Sequence, residues 1–268
     1  MACCWGCASV LCANHICSYK LLKPGNSLDS NESPQKELSI LLPAFNEATQ
    51  IQRCIKEAEA AAQKLAKNYE IIVSEDGSTD GTDQIVAEMT KSDPNLLLLH
   101  APIRLGKGKA VKNAVNASRG KIVAFMDVDL ATDLSCLPKL YNVVKQNGGM
   151  AIGSRHIKGA KVERHASRTL FSLIFNLFVR LLFLDSIYDH QCGFKTMNRK
   201  VAVMVLNECQ SDGYFFDTEM IVLCKKLGFP VEEIAVIWRE KNNGASKVSP
   251  YRDSKKIFRD MLAFRFRR

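Results

Sequence analysis

Lys121-Ile-Val-Ala-Phe-Met-Asp-Val-Asp-Leu130 is an apolar run that stops abruptly in two carboxylates, Asp127 and Asp129. A strand buried on both faces tolerates uncompensated charge only at its end, where the chain leaves the core. Residues two apart in a strand point the same way, so the stretch predicts a buried strand over 121–127 whose two acids reach one hard cation. Acids at such a position also cap following helices, and a helix here would begin near Asp133 or Ser135.

Two upstream stretches repeat the pattern. Leu38-Ser-Ile-Leu-Leu-Pro-Ala-Phe-Asn-Glu47 ends in Pro43, Asn46 and Glu47, and Tyr69-Glu-Ile-Ile-Val-Ser-Glu-Asp76 runs into Gly77-Ser-Thr-Asp-Gly81. Strands are predicted at 38–44, 69–75, 96–100, 121–127 and 149–153, alternating with helices at 48–66, 82–91, 107–118 and 135–146. This alternation predicts an α/β fold: a mostly parallel sheet with helices on both faces. Ligands bind outside the carboxyl ends of such strands, where three polar ends converge here.

The 268 residues suffice for one large domain with an appended segment. Lys and Arg outnumber Asp and Glu by 37 to 28, and the net charge of +9 points to an anionic partner. Zinc-finger spacing, RNA-binding aromatic motifs and a helix-turn-helix pattern are missing from the sequence, which argues against nucleic acid. Much of the basic excess lies in residues 251–268, interleaved with Phe258, Met261, Leu262, Phe264 and Phe266. That segment reads as a basic amphipathic helix, either at an anionic membrane surface or packed on its own domain.

Five of the ten cysteines crowd the start, at Cys3, Cys4, Cys7, Cys12 and Cys17. Residues 1–21 hold a mostly apolar stretch, 2–17, that is short of a comfortable span of about 20 apolar residues and lacks the basic leader of a cleaved signal. They read as a membrane attachment, by acylation of cysteines; Cys4-x-x-Cys7 lacks the second pair expected of a zinc site. Residues 22–36 read as a linker and 37–250 as the main domain. The scattered remaining cysteines fit a reducing compartment.

Beyond Gly153-Ser-Arg155 a helical stretch is predicted from Ala166 to Ile187. Its run Leu170–Leu184 is almost wholly apolar but interrupted by Asn176 and Arg180, which suits an interfacial or core helix better than a spanning one. Arg104-Leu-Gly-Lys-Gly-Lys-Ala-Val111 follows a strand and opens a helix, so Lys107 and backbone amides are placed to receive phosphate. By itself the segment is also an ordinary tight turn.

Taken together, Leu-Pro-Ala-Phe-Asn-Glu47, Ser-Glu-Asp-Gly-Ser-Thr-Asp-Gly81, Arg-x-Gly-Lys-Gly108, Asp-Val-Asp129, Gly-Ser-Arg155 and Gln-Cys-Gly-Phe-Lys195 resemble the inverting family 2 glycosyltransferases, which have a GT-A fold. The resemblance covers residues 37 to 250. Asp-His-Gln-Cys-Gly-Phe-Lys195, Phe215-Phe-Asp-Thr-Glu219, Glu233-Ile-Ala-Val-Ile-Trp238 and Gly244-Ala-Ser-Lys247 make it most similar to the dolichyl-phosphate β-glucosyltransferases. Mannose-transferring relatives carry a Thr-Gly-Ser-Phe-Arg-like segment where this chain has Gln-Cys-Gly-Phe-Lys. The resemblance therefore favours UDP-glucose over GDP-mannose as donor.

The resemblance implies that Pro43, Phe45 and Glu47 line the nucleotide pocket, that Asp76 contacts base or ribose, and that Asp127 and Asp129 hold Mg²⁺ or Mn²⁺ on the donor diphosphate. Lys107 would assist there, and Asp129, Arg155 and Gln191 would form the reaction centre. Phe45 replaces a frequent Tyr, and Ala131 a frequent side-chain ligand. The acceptor, a polyprenyl phosphate, is already an anionic nucleophile, so the chemistry calls for cations rather than a strong base. Arg155, Arg164, Arg168 and Lys247 are the candidates for its phosphate. Such an enzyme works at a membrane surface with its site facing the cytoplasm, at the endoplasmic reticulum in a eukaryote.

Two readings from other classes compete. A nicotinamide-dependent reductase would need Gly-x-Gly-x-x-Gly on the first strand-helix turn, where this chain has Pro-Ala-Phe-Asn-Glu47. A non-catalytic binding module would show no metal-dependent turnover. Within the transferase class, GDP-mannose as donor or another acceptor remain alternatives.

Overall fold

The computed structural model describes residues 20–21, 36–240 and 250–266. The N-terminal cysteines, most of the linker and Lys247 lie outside the described residues. The first half follows the expected alternation: β1 (Lys20–Leu21), β2 (Lys36–Ala44), α1 (Ile51–Gln63), β3 (Tyr69–Asp76), α2 (Thr82–Met89), β4 (Leu96–Ala101), α3 (Lys107–Ala117) and β5 (Gly120–Phe125). A single 3₁₀ turn, Leu134–Cys136, leads into α4 (Leu137–Asn147) and β6 (Met150–Ser154). The second half adds β7 (Lys161–Glu163), α5 (Ala166–Phe183), β8 (Lys195–Asn198), α6 (Arg199–Glu208), α7 (Phe216–Lys226), β9 (Val231–Ala235), β10 (Ile237–Arg239) and α8 (Pro250–Phe266).

The main sheet runs β1-β4-β3-β2-β5-β8-β6-β9, with β10 and β7 forming a separate parallel pair. β4, β3, β2 and β5 are mutually parallel, whereas β8 lies antiparallel between β5 and β6 and β1 is antiparallel to β4. The chain travels outward from β2 to β4 and then returns to the other side of β2 for β5. The switch point of the sheet therefore falls between β2 and β5, where open α/β sheets bind ligands.

Strand alternation divides the core. Leu38, Ile40 and Leu42 of β2, with Ile71 and Val73 of β3, pack against α1 and α4. Leu41 and Ile72 face the opposite way, into a cluster with Val111, Val201, Val205, Phe216 and Met220 from α3, α6 and α7. Helices thus cover both faces, and every residue of β3 is buried.

α5 touches that core along one narrow face, through Val179 with Phe175, Leu182 and Phe183. Only Asn176 and Val179 along it are buried, while Leu170, Phe171, Ile174, Leu177 and Leu181 form an exposed apolar stripe at helical spacing. By length and composition it is the one helix among the described residues that could cross a membrane. Core packing therefore accounts for only one face of its apolar run. α8 packs on its own domain through buried Met261 and Phe264, and leaves Phe258 and Phe266 exposed. Phe264 packs on Phe183 and Phe215, and Arg265 Nε donates to the Leu182 carbonyl at 3.0 Å.

Candidate active site

The ends of β2, β3 and β5 open into a cleft of about 1130 Å³. Pro43, Phe45 and Glu47 line it, with Asp76, Arg104, Lys107, Asp127 and Asp129; Arg164, Arg168, Trp238 and Glu240 stand on another wall. A smaller adjoining cavity of about 80 Å³ is lined by Asp127, Asp129, Arg155, Gln191, Gly193 and Trp238. Asp127, Asp129 and Trp238 border both spaces.

The nucleotide-side loops are laced together by the Gly-Ser-Thr-Asp segment. Asn46 N–H donates to Ser78 Oγ at 2.9 Å and Thr79 N–H donates to Asn46 Oδ1 at 2.8 Å. Glu47 N–H reaches Thr82 Oγ1 at 2.8 Å and Ala48 N–H reaches Asp80 Oδ2 at 3.0 Å. These bonds hold Asn46 in the left-handed region, φ 53°, which asparagine tolerates better than most side chains. Phe45 then presents its ring to the Arg104 guanidinium, 4.0 Å from the ring centroid. Asp76 accepts from Leu105 and Gly106 N–H at 2.7 and 2.9 Å, so its carboxylate shapes the turn into α3. Burial outweighs those bonds and raises its pKa.

β5 stops at Phe125, so Asp127 and Asp129 sit in the loop beyond the strand, and strand alternation is not what aims them. Leu130, held at φ 52°, and the Ala131 N–H bond to Asp129 Oδ1 at 2.9 Å turn the loop instead. The capping alternative falls to another acid: Asp133 accepts from Ser135 N–H at 2.8 Å. Burial first, then the charges of Asp127 and Glu47, push the Asp129 carboxyl up, against the Ala131 bond and Lys107.

Lys107 Nζ lies 2.8 Å from Asp127 Oδ1 and 3.4 Å from Asp217 Oδ2. Fully buried Lys195 meets the other Asp217 oxygen at 2.5 Å. The sequence allowed Asp217 a salt bridge, but it did not indicate that Lys107 and Lys195 are its partners. Among the described residues no three His, Cys, Asp or Glu side chains gather as a ready-made metal cage. The all-oxygen pair Asp127 and Asp129, with Glu47 adding negative charge, suits a hard cation that takes its other ligands from a diphosphate and water.

Arg155 was expected to grip the acceptor phosphate with its fork. That fork is engaged: Nε and Nη2 contact Asp189 Oδ2 and Oδ1 at 2.7 and 2.8 Å, and both side chains are buried. Arg164 is differently placed. Its guanidinium lies 5.3 Å from the Trp238 ring centroid, and its Nε is buried without a hydrogen-bond partner. Burial and the nearby charge of Arg155 lower its pKa. Arg168 pairs with Glu240 at the cleft rim. Gln191 donates to Thr218 Oγ1 at 2.9 Å and lines the small cavity.

The chain matches Glycosyl transferase family 2 over residues 39–205. It belongs to glycosyl transferase family 2. A Dictyostelium discoideum protein named dolichyl-phosphate beta-glucosyltransferase is 32% identical over 257 residues, covering 90% of this chain and 78% of that one. Glycosyltransferase AglD of Haloferax volcanii is 34% identical over 220 residues, 81% of this chain but only 35% of its own length. Glucosyl-3-phosphoglycerate synthase from Mycobacterium tuberculosis, solved with Mn²⁺ and UDP-glucose, superposes with a TM-score of 0.60 at 19% identity, covering 85% of this chain and 77% of that one. The fold of this family 2 transferase is thus the GT-A arrangement that its motifs led us to expect, and the reductase and pure binding readings give way.

Proposed function

We propose that this family 2 glycosyltransferase moves glucose from UDP-glucose to dolichyl or a related polyprenyl phosphate at a membrane surface, with inversion at the anomeric carbon. One observation carries the reading: an acidic pair and an arginine cluster face the same cleft, so one wall suits a cation-bound diphosphate and the other suits a second phosphate. The UDP-glucose in the M. tuberculosis structure and the name of the Dictyostelium relative support the choice of sugar and acceptor.

Phe45 and Arg104 frame the base, and Pro43 and Glu47 the rest of the nucleoside. Asp76 stands beside base and ribose while it holds the turn before Lys107. Asp127 and Asp129 would hold Mg²⁺ or Mn²⁺, which when bound neutralises charge on the departing nucleoside diphosphate. Lys107 adds a further cation beside that group. Arg164, with its unused Nε, takes the acceptor phosphate together with Arg168, and Lys247 is a third candidate from outside the described residues. Arg155, anchored on Asp189, contributes a fixed positive wall beside Asp129 and Gln191.

The acceptor phosphate oxygen attacks the anomeric carbon as the bond to the diphosphate oxygen breaks on the opposite side. An α-linked donor then gives a β-linked product. No proton need leave the nucleophile. The exposed stripe of α5 supplies an apolar face for lipid close to the arginines, with residues 1–21 as a further attachment. The site faces the cytoplasm, on the endoplasmic reticulum in a eukaryote.

The test is transfer to short-chain dolichyl phosphate with Mg²⁺, comparing labelled UDP-glucose and GDP-mannose. A lipid-linked product from UDP-glucose is expected. A product from GDP-mannose alone overturns the sugar, and none from either donor overturns the acceptor.

A further inference from the structure

Asp127 already has a resident cation. Lys107, the first residue of α3, sets its ammonium 2.8 Å from Asp127 Oδ1. The opposite oxygen, Oδ2, occupies the space that the missing side chain of Gly193 leaves free: a β-carbon there would stand 1.8 Å from it. Approach to the carboxylate is therefore limited on one side by the Gly193 backbone and on the other by Lys107.

The two acids that share Lys107 depend on it differently. Asp217 is buried and keeps Lys195 at 2.5 Å if Lys107 moves away. Asp127 is half-exposed, and Lys107 is its one ion-pair partner among the described residues. A second cation at Asp127 Oδ1 would face the ammonium at close range, and like charges there repel strongly. Lysine carries its charge on a flexible stem, so it can exchange one anionic partner for another without moving the backbone.

We propose that Lys107 is a stand-in cation: it neutralises Asp127 while the cleft is free of nucleotide and transfers to the donor diphosphate when that arrives. A divalent cation and a nucleoside diphosphate then bind as a unit, because each relieves a penalty on the other. The proposal rests on the metal role given above to Asp127 and Asp129. Linkage makes it quantitative, since whatever factor UDP adds to metal affinity the metal must add to UDP affinity.

Mn²⁺ binding to the full chain, followed by the electron paramagnetic resonance of free Mn²⁺ with and without UDP, tests this directly. In Lys107→Met, Mn²⁺ should bind without UDP at least about tenfold tighter than in wild type, equal to about 1.4 kcal/mol, and the gain from UDP should shrink. Lys107→Arg, which keeps the charge, should preserve the wild-type coupling. Lys107→Gln carries the same expectation should the Met variant not fold. Equal or weaker Mn²⁺ binding in the neutral variants, with UDP-dependent Mn²⁺ binding intact in wild type, overturns the stand-in role alone. Failure of wild type with UDP to bind Mn²⁺, or binding unchanged in Asp127→Asn, overturns it together with the metal site.

Discussion

Gly193 and Asp127 are in direct apposition: a β-carbon on Gly193 would lie 1.8 Å from Asp127 Oδ2 and 2.4 Å from its Cγ. The Gln-Cys-Gly-Phe-Lys segment thus needs glycine because an acid of the cleft occupies the side-chain space. Gly193→Ala must push Asp127 out of place. Displacement of about 1 Å at a reacting centre costs on the order of a hundredfold in rate. We expect that loss of transfer with the circular dichroism spectrum retained; activity within threefold of wild type would show that Asp127 need not sit where it does.

Arg164 should act on the acceptor and not on the donor. A hydrogen bond to a charged group is worth about 1.5–3 kcal/mol, so Arg164→Ala should raise KM for the polyprenyl phosphate by roughly tenfold or more. KM for UDP-glucose should change little. An effect confined to the donor would move the phosphate site elsewhere in the cleft.

Acid should loosen the fold. Burial alone would raise the Asp189 carboxyl, but the Arg155 charge and its hydrogen bonds hold it well below the ordinary range. Asp185 is depressed likewise, by bonds from His190 and Lys225 that outweigh burial. A carboxylate with a depressed pKa stabilises the fold fully above its unfolded pKa of about 3.9 and loses that contribution as pH falls toward the folded value. Asp76 and Asp129 have raised pKa values and act oppositely, their contribution being lost as pH rises. Melting temperature should therefore drop steeply below about pH 4; a flat profile down to pH 3 would contradict the burial of the Arg155–Asp189 pair.

The α5 stripe predicts a split between acceptors. Leu177 and Leu181 are exposed, so Leu177→Glu/Leu181→Glu should leave stability within about 0.5 kcal/mol per site. Two leucines withdrawn from lipid forfeit about 1.5–3 kcal/mol each. Transfer to long polyprenyl phosphate in vesicles should fall at least about tenfold, with transfer to a short-chain acceptor in detergent unchanged. Equal losses on both would mean that α5 serves the site and not the membrane.

Much of this architecture was legible because the parallel strands are buried on both faces: the apolar runs of β2, β3 and β5 and the polar residues after them announce sheet and cleft together. What was not legible is made by distant partners. Asp189 lies 34 residues from Arg155, and nothing local signals that it claims the arginine fork. Lys195 in β8 and Asp217 in α7 are charged residues in wholly buried settings, so hydropathy could not place either element. The end of β5 was placed two residues late because Met126 continues the apolar pattern after the ladder has stopped.

The most direct measurement is transfer from labelled UDP-glucose to short-chain dolichyl phosphate by wild type and Asp129→Ala, each with Mg²⁺ and with chelator. The account predicts a β-linked glucosyl lipid from wild type with Mg²⁺, abolished by chelator and by Asp129→Ala. Undiminished product from Asp129→Ala, or an α-linked product, would contradict it.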